Sequence, residues 1–211
     1  MSLIGCNAVT GEAKRTIEYM LTKTPDYEMT AEEISEFPYT ALYMNQEGSP
    51  QSLVVLGYID GDMQTQNFSW VSQERETIVT RNGRVIRTEG LHANLTGLSD
   101  LGTDPLLCIV TSPQDCVLSW TRNQDFILRD GTSLSRRVHS EFEVADEQRL
   151  ALPGGEVDVT LVREYVEIGL HKRRYVNEFW IEADGHVVKS KQWVLHNEPR
   201  FTLTQVKWVG R

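Results

Sequence analysis

The chain has 211 residues, of which 40% are hydrophobic and 24% charged, and a formal charge of −9. A chain of this length buries about 70% of its unfolded surface, so a disulfide-only mini-protein and a disordered chain are both excluded. The negative balance repels phosphate backbones, and nucleic acid is not an expected partner.

No window approaches the roughly 18 consecutive apolar residues that a membrane-spanning helix needs. The first residues include Leu3-Ile4-Gly5-Cys6, the residue order of a bacterial lipobox, in which the cysteine sulfur receives a diacylglycerol. The apolar stretch that precedes such a box is not in the chain. Residues 1–7 are therefore expected to be the remnant of a signal peptide with its anchor, and Cys6 the site of lipidation. The alternative for this tetrapeptide is a free cysteine in a frayed terminus. Acyl chains bury about 0.8 kcal/mol per methylene, and more than one chain is enough for a stable tether.

From residue 8 to 22, Val9, Ala13, Ile17, Met20 and Leu21 recur at helical spacing and predict an amphipathic helix. Thr30 followed by Glu33 forms a capping box that opens a second, short helix ending near Pro38. Tyr39 to Met44 is read as a further helical turn, which gives an N-terminal helical segment over 8–45. Beyond Gln51 the pattern changes to strands: 52–59, 68–73, 76–81 and 84–88 are rich in Val, Ile, Trp and Thr. Asn82-Gly83 is the strongest hairpin signal, because a type I′ turn needs positive φ at both central positions. Residues 91–101 read as a short helix or compact loop. Strands are expected again at 106–111, 116–128, 134–145, 156–168, 174–183, 186–195 and 200–209. Their connections are short, as at Asp130-Gly131, Pro153-Gly154-Gly155 and Asp184-Gly185, so neighbours should pair antiparallel.

About eleven strands in one sheet twist too far to stay open. The expected fold is mainly β: a large antiparallel meander rolled into a partial barrel or folded on itself, with short N-terminal helices. No linker or repeat divides residues 8–211, which are read as a single domain.

The chemistry-bearing residues are sparse. His92, His139, His171, His186 and His196 have no metal-ligand spacing, and the three cysteines match no zinc pattern. Nucleophile elbows and phosphate-cradling glycine motifs are missing, so no catalytic residue, metal or cofactor is assigned. Cys108 and Cys116 flank a turn-like segment that can bring them within disulfide range, leaving Cys6 unpaired. Trp70, Trp120, Trp180 and Trp193 lie on separate strands, as does Trp208. Facing outward, such rings stack on sugars; facing inward, they are core. Lys172-Arg173-Arg174 is a local basic cluster that suits an anionic polysaccharide or headgroup, or else a solvated turn.

Taken in order, Phe37-Pro38-Tyr39, Tyr43-Met44, Pro50-Gln51, Leu53 to Leu56, Ile78-Val79-Thr80 with Asn82-Gly83-Arg84, Asn94-Leu95, Asp104-Pro105-Leu106, Ser119-Trp120-Thr121-Arg122 and Trp180-Ile181 with Gly185 resemble the YjbF-type exopolysaccharide lipoproteins. These include the group-four capsule lipoproteins (GfcB), and the resemblance runs from Cys6 almost to the C-terminus. It implies a lipid-anchored outer-membrane protein on the periplasmic face, with export components or the polysaccharide itself as partners and no catalytic residues to carry over. Asn7 after the cysteine favours outer-membrane sorting, and an oxidising compartment suits a Cys108–Cys116 bond. Three functions follow. The first is a noncatalytic accessory in exopolysaccharide or capsule production and export. The second is an acyl-chain-binding half-barrel, which needs a uniformly apolar interior with a void. The third is a polysaccharide-modifying enzyme, which needs two carboxylates in one cleft with divergent pKa values.

Overall fold

The protein, seen in a computed structural model, is described over residues 26–62, 65–169, 173–196 and 198–210. Cys6, the helix expected over 8–22, and Lys172 lie outside the described residues.

Helix α1 (Ala31–Glu36) starts on the expected capping box: the Thr30 hydroxyl accepts from the Glu33 N–H, and the Thr30 N–H donates to Glu33 Oε2 at 2.7 Å. The helix stops there. Residues 41–46 form strand β1 (Ala41–Gln46) and not the further helical turn expected from the sequence. Ala41, Leu42, Tyr43 and Met44 are all buried, because Leu42 and Met44 face the main core while Ala41 and Tyr43 pack under Ile34 of α1. A run buried on both faces has no period of two and cannot be told from a helix by pattern.

Eleven further strands follow: β2 (Ser52–Asp60), β3 (Asn67–Ser72), β4 (Thr77–Arg81), β5 (Arg84–Glu89), β6 (Ala93–Leu98), β7 (Ser119–Leu128), β8 (Ser133–Leu152), β9 (Gly155–Ile168), β10 (Arg173–Ile181), β11 (Val187–Gln192) and β12 (Phe201–Lys207). The segment 91–101, expected as helix or loop, supplies β6, while 106–111, expected as a strand, belongs to a connection of short 3-10 turns. The order β5-β4-β3-β2-β1-β12-β11-β10-β9-β8-β7-β6 is one antiparallel sheet in which β1 pairs with β12. It rolls into a barrel with a single seam between β5 and β6. There the Leu95 N–H of β6 donates to the Thr88 hydroxyl of β5 at 2.9 Å, so a side chain occupies the place of a ladder bond.

Two devices cover the barrel. Strand β8 has 20 residues and extends beyond it; a bulge between Val144 and Asp146 bends the β8–β9 hairpin. Leu150, Leu152 and Val157 of that hairpin pack with Trp180 and Val188, and Gly154 approaches β12 so closely that a Cβ would lie 2.7 Å from the Val206 carbonyl oxygen. The second device is the connection between β6 and β7. Its Leu106 and Ile109 are buried against Trp120, Phe142 and Phe179, and Cys108 and Cys116 are disulfide-bonded with Cα atoms 5.4 Å apart.

Candidate functional site

Alternation in β7 places Trp120, Arg122, Gln124 and Phe126 inward, at 5% exposure or less. On β8, β9 and β10 the same phase brings Ser140, Glu164 and Asn177 inward. The middle layer of the interior is therefore charged. Arg84 of β5 is ion-paired with Asp104 through its Nε, and its Nη1 donates to Glu164 Oε2 at 2.8 Å. Arg122 Nη2 lies 2.9 Å from Glu164 Oε1 as an ion-pair contact without hydrogen-bond alignment, while its Nη1 donates to the Ser140 hydroxyl at 2.7 Å. Asn177 Nδ2 adds a bond to Glu164 Oε2 at 2.8 Å.

Two carboxylates and two guanidinium groups thus neutralise one another out of water, as buried charges must. Burial by itself would raise the Glu164 pKa, but the charges of Arg84 and Arg122 outweigh it and hold the group at about 2. Burial likewise works against the Arg84 charge, and Asp104 with Glu164 more than offsets it, raising the pKa above the ordinary value. Arg122 shares a single carboxylate; burial lowers its pKa and Glu164 only partly opposes this. Trp120 lies between the two cations, with the Arg84 and Arg122 Cζ atoms 4.7 and 4.1 Å from its ring. The void beside this layer, lined by Arg84, Arg122, Gln124 and Gln192 among others, measures about 10 Å³.

The tryptophans expected as glycan contacts are not gathered on a surface. Trp70 and Trp120 are 2% exposed and Trp180 is 7% exposed, so these three are core residues. Trp70 donates its N–H to Thr80 Oγ1 at 2.8 Å, and Trp180 lies beneath the folded hairpin with Lys189 and Lys191 over its ring. For Trp70 and Trp120 the physical reason is the barrel itself, whose inward positions need large apolar area that indoles supply. Trp180 has the opposite phase, across from Lys189, and is buried by the hairpin that folds over it. Trp193 is half-buried against Tyr175. Arg173 and Arg174 are exposed at the start of β10, where Arg174 pairs with Glu167 at 3.1 Å.

A different aromatic group surrounds a pocket of about 80 Å³. Trp208, immediately after β12, packs edge-on against His186 at 4.4 Å and Phe68 at 5.3 Å between ring centres. The opposite wall is the Asn82-Gly83 turn, in which both residues have positive φ, +47° and +72°. Gly83 is required there, since a Cβ would fall 2.4 Å from the Val187 side chain. Core residues Leu42, Leu203 and Trp70 also line the pocket. The hairpin signal at Asn82-Gly83 was visible in the sequence, but its juxtaposition with Trp208 depends on β1–β12 closure and left no local sign.

The model of one protein family, the group 4 capsule polysaccharide lipoproteins GfcB and YjbF, matches residues 14–206. The chain belongs to this family. It is 28% identical to the uncharacterized lipoprotein YjbF of Escherichia coli K12 over 194 residues, covering 91% of this chain and 86% of that protein. It is also 28% identical to the uncharacterized lipoprotein GfcB of the same organism, over 90% of this chain and 86% of the relative. Among solved structures, the hypothetical lipoprotein YmcC of E. coli K12 superposes with a TM-score of 0.76 at 23% identity, over 99% of this chain and all of the other, which establishes a common fold. The seamed barrel is thus the fold of this member of a lipoprotein family whose name links it to capsule polysaccharide.

Proposed function

We propose that the protein is a noncatalytic lipoprotein tethered through Cys6 to the periplasmic face of the outer membrane. There it assists exopolysaccharide or capsule production or export by binding export components or the glycan at its surface. The observation that carries this reading is the filled interior. An acyl-chain carrier needs an apolar cavity on the order of the 300–1,000 Å³ usual for ligand sites, whereas the middle of this barrel holds Arg84, Asp104, Glu164 and Arg122 with a void of about 10 Å³ beside them. The clefts of about 530 and 700 Å³ along the β8–β9 hairpin carry charges in their walls, Glu156 and Lys207 in one and Glu147, Arg149 and Asp158 in the other. Glu164, between two arginines and fully buried, lacks the access to substrate that an acid–base group requires. Membership of a capsule polysaccharide lipoprotein family supports the biological setting, and Asn7 in place of Asp after the cysteine supports sorting to the outer membrane.

Deleting the gene and measuring the amount and sugar composition of secreted polysaccharide tests the role. Reduced or altered polymer, restored by the wild-type gene and not by Cys6→Ser, is expected. Unchanged secretion and composition overturns the proposal.

A further inference from the structure

We infer that the pocket between Trp208 and the Asn82-Gly83 turn is a sugar subsite that seats an acetyl substituent of a polysaccharide, an N-acetyl or O-acetyl group. The inference rests on the polysaccharide-binding reading above and names the chemistry of the site. Three features carry it. First, size: the pocket holds about 80 Å³, roughly half of the ~150 Å³ cavity that admits a benzene ring. A substituent of a few heavy atoms enters and a whole pyranose does not. Second, polarity is divided. Leu42, Leu203 and Trp70 come from the apolar core and suit a methyl group, while Asn82, His186 and the Gly83 turn bring polar groups to the same pocket. Among the described residues the Asn82 amide and the Trp208 indole N–H make no side-chain hydrogen bond, which leaves donors for an acetyl carbonyl oxygen. Third, Trp208 is half-buried. Its T-shaped contacts to His186, Phe68 and Trp70 fix the ring, so a sugar that packs on its exposed part meets a surface that loses little entropy on binding.

Besides strand residues of the core, segments distant in sequence build this pocket: the β4–β5 turn, the β10–β11 turn and the residue after β12. Gly83 lets the first turn close onto Val187, and His186 Nε2 is tied to Gln205 of β12 at 2.6 Å. The pocket is therefore held by the barrel's own turns, as a preorganised subsite is.

The test is calorimetric titration of the full chain with four probes. These are triacetylchitotriose, the same trimer fully deacetylated, an O-acetylated cellotriose, and the polysaccharide purified from the source bacterium's culture. The acetylated trimers are expected to bind and the deacetylated one to bind at least tenfold more weakly. Trp208→Ala is expected to lower the affinity at least tenfold. Asn82→Gly, which keeps the positive φ of the turn and deletes the amide, should lower it three- to tenfold with an unchanged melting temperature. Equal binding of acetylated and deacetylated trimers overturns the acetyl assignment. Binding of the purified polysaccharide that neither variant weakens overturns this pocket as the site but leaves glycan binding standing. If neither polymer nor trimers bind, the glycan-binding reading itself falls and the subsite with it. The two acetylated trimers separate amide from ester as the group recognised.

Discussion

Arg84 and Glu164 meet at 2.8 Å across the inside of the barrel, 80 positions apart in sequence and on strands at opposite regions of the sheet order. Strand β5 is one edge of the sheet and has no ladder partner beyond β4. The pair therefore fastens an edge strand to the far wall. Gln192 of β11 adds to this by accepting the Val85 N–H at 3.0 Å and donating to the Gly83 carbonyl oxygen at 2.7 Å.

Removing one member of the charged layer leaves its partner buried and uncompensated. Glu164→Gln and Arg84→Met are each expected to cost about 3–5 kcal/mol in urea unfolding. Because the groups share partners, the two substitutions should not add. A cost below about 1 kcal/mol for both contradicts the arrangement.

The same layer sets an acid limit. The Glu164 pKa falls from 4.5 to about 2 on folding. A carboxylate with a depressed folded pKa contributes stability above its unfolded value and loses that contribution as the pH falls toward the folded one. Stability should therefore decline between pH 4.5 and about 2, by on the order of 3 kcal/mol from this group. Denaturation midpoints of wild type and Glu164→Gln measured through this range should converge as the pH drops. Parallel curves would assign the acid sensitivity to other carboxylates.

The Cys108–Cys116 bond closes a connection whose Leu106 and Ile109 are buried, and Asp104 at its start holds Arg84. Loop-closure arithmetic for so short a span gives roughly 2.5 kcal/mol. Reduction, or Cys108→Ser with Cys116→Ser, should lower the melting temperature, and alkylation after reduction should add mass at two further thiols. Alkylation of Cys108 and Cys116 without prior reduction contradicts a bond in the native protein.

Gly83→Ala combines a positive φ of +72° with a Cβ placed 2.4 Å from Val187. A loss of about 1–3 kcal/mol is expected. Asn82→Gly should cost far less, since glycine accepts the same φ. Equal costs for the two would mean that the crowding against Val187 is relieved elsewhere.

Most of the strand plan was legible because β7 to β12 are half-buried and alternate, as in Trp120, Arg122, Gln124 and Phe126. That alternation also carried a sign of the charged layer. The phase fixed by Trp120 and Phe126 sends Arg122 inward, and Val162 with Val166 does the same for Glu164. Which charges meet could not be read, since the ion pairs join β5 to β9 and β7 to β9 only after the sheet has rolled. Strand β1 was hidden for the opposite reason: α1 and the core bury both of its faces and erase the period. The burial of Trp180 was equally beyond the sequence, because it is covered by a hairpin that bends at Val144.

The central claim is that a filled barrel hangs from a lipidated cysteine and works at its surface. The most direct measurement is the intact mass of the protein, expressed from its full precursor and extracted from membranes in mild detergent, taken first natively and then denatured. The account predicts a covalent acyl adduct at Cys6 in both spectra, absent in Cys6→Ser, and no further lipid in the native spectrum. An unmodified mass from a soluble fraction, or a stoichiometric lipid lost on denaturation, would contradict it.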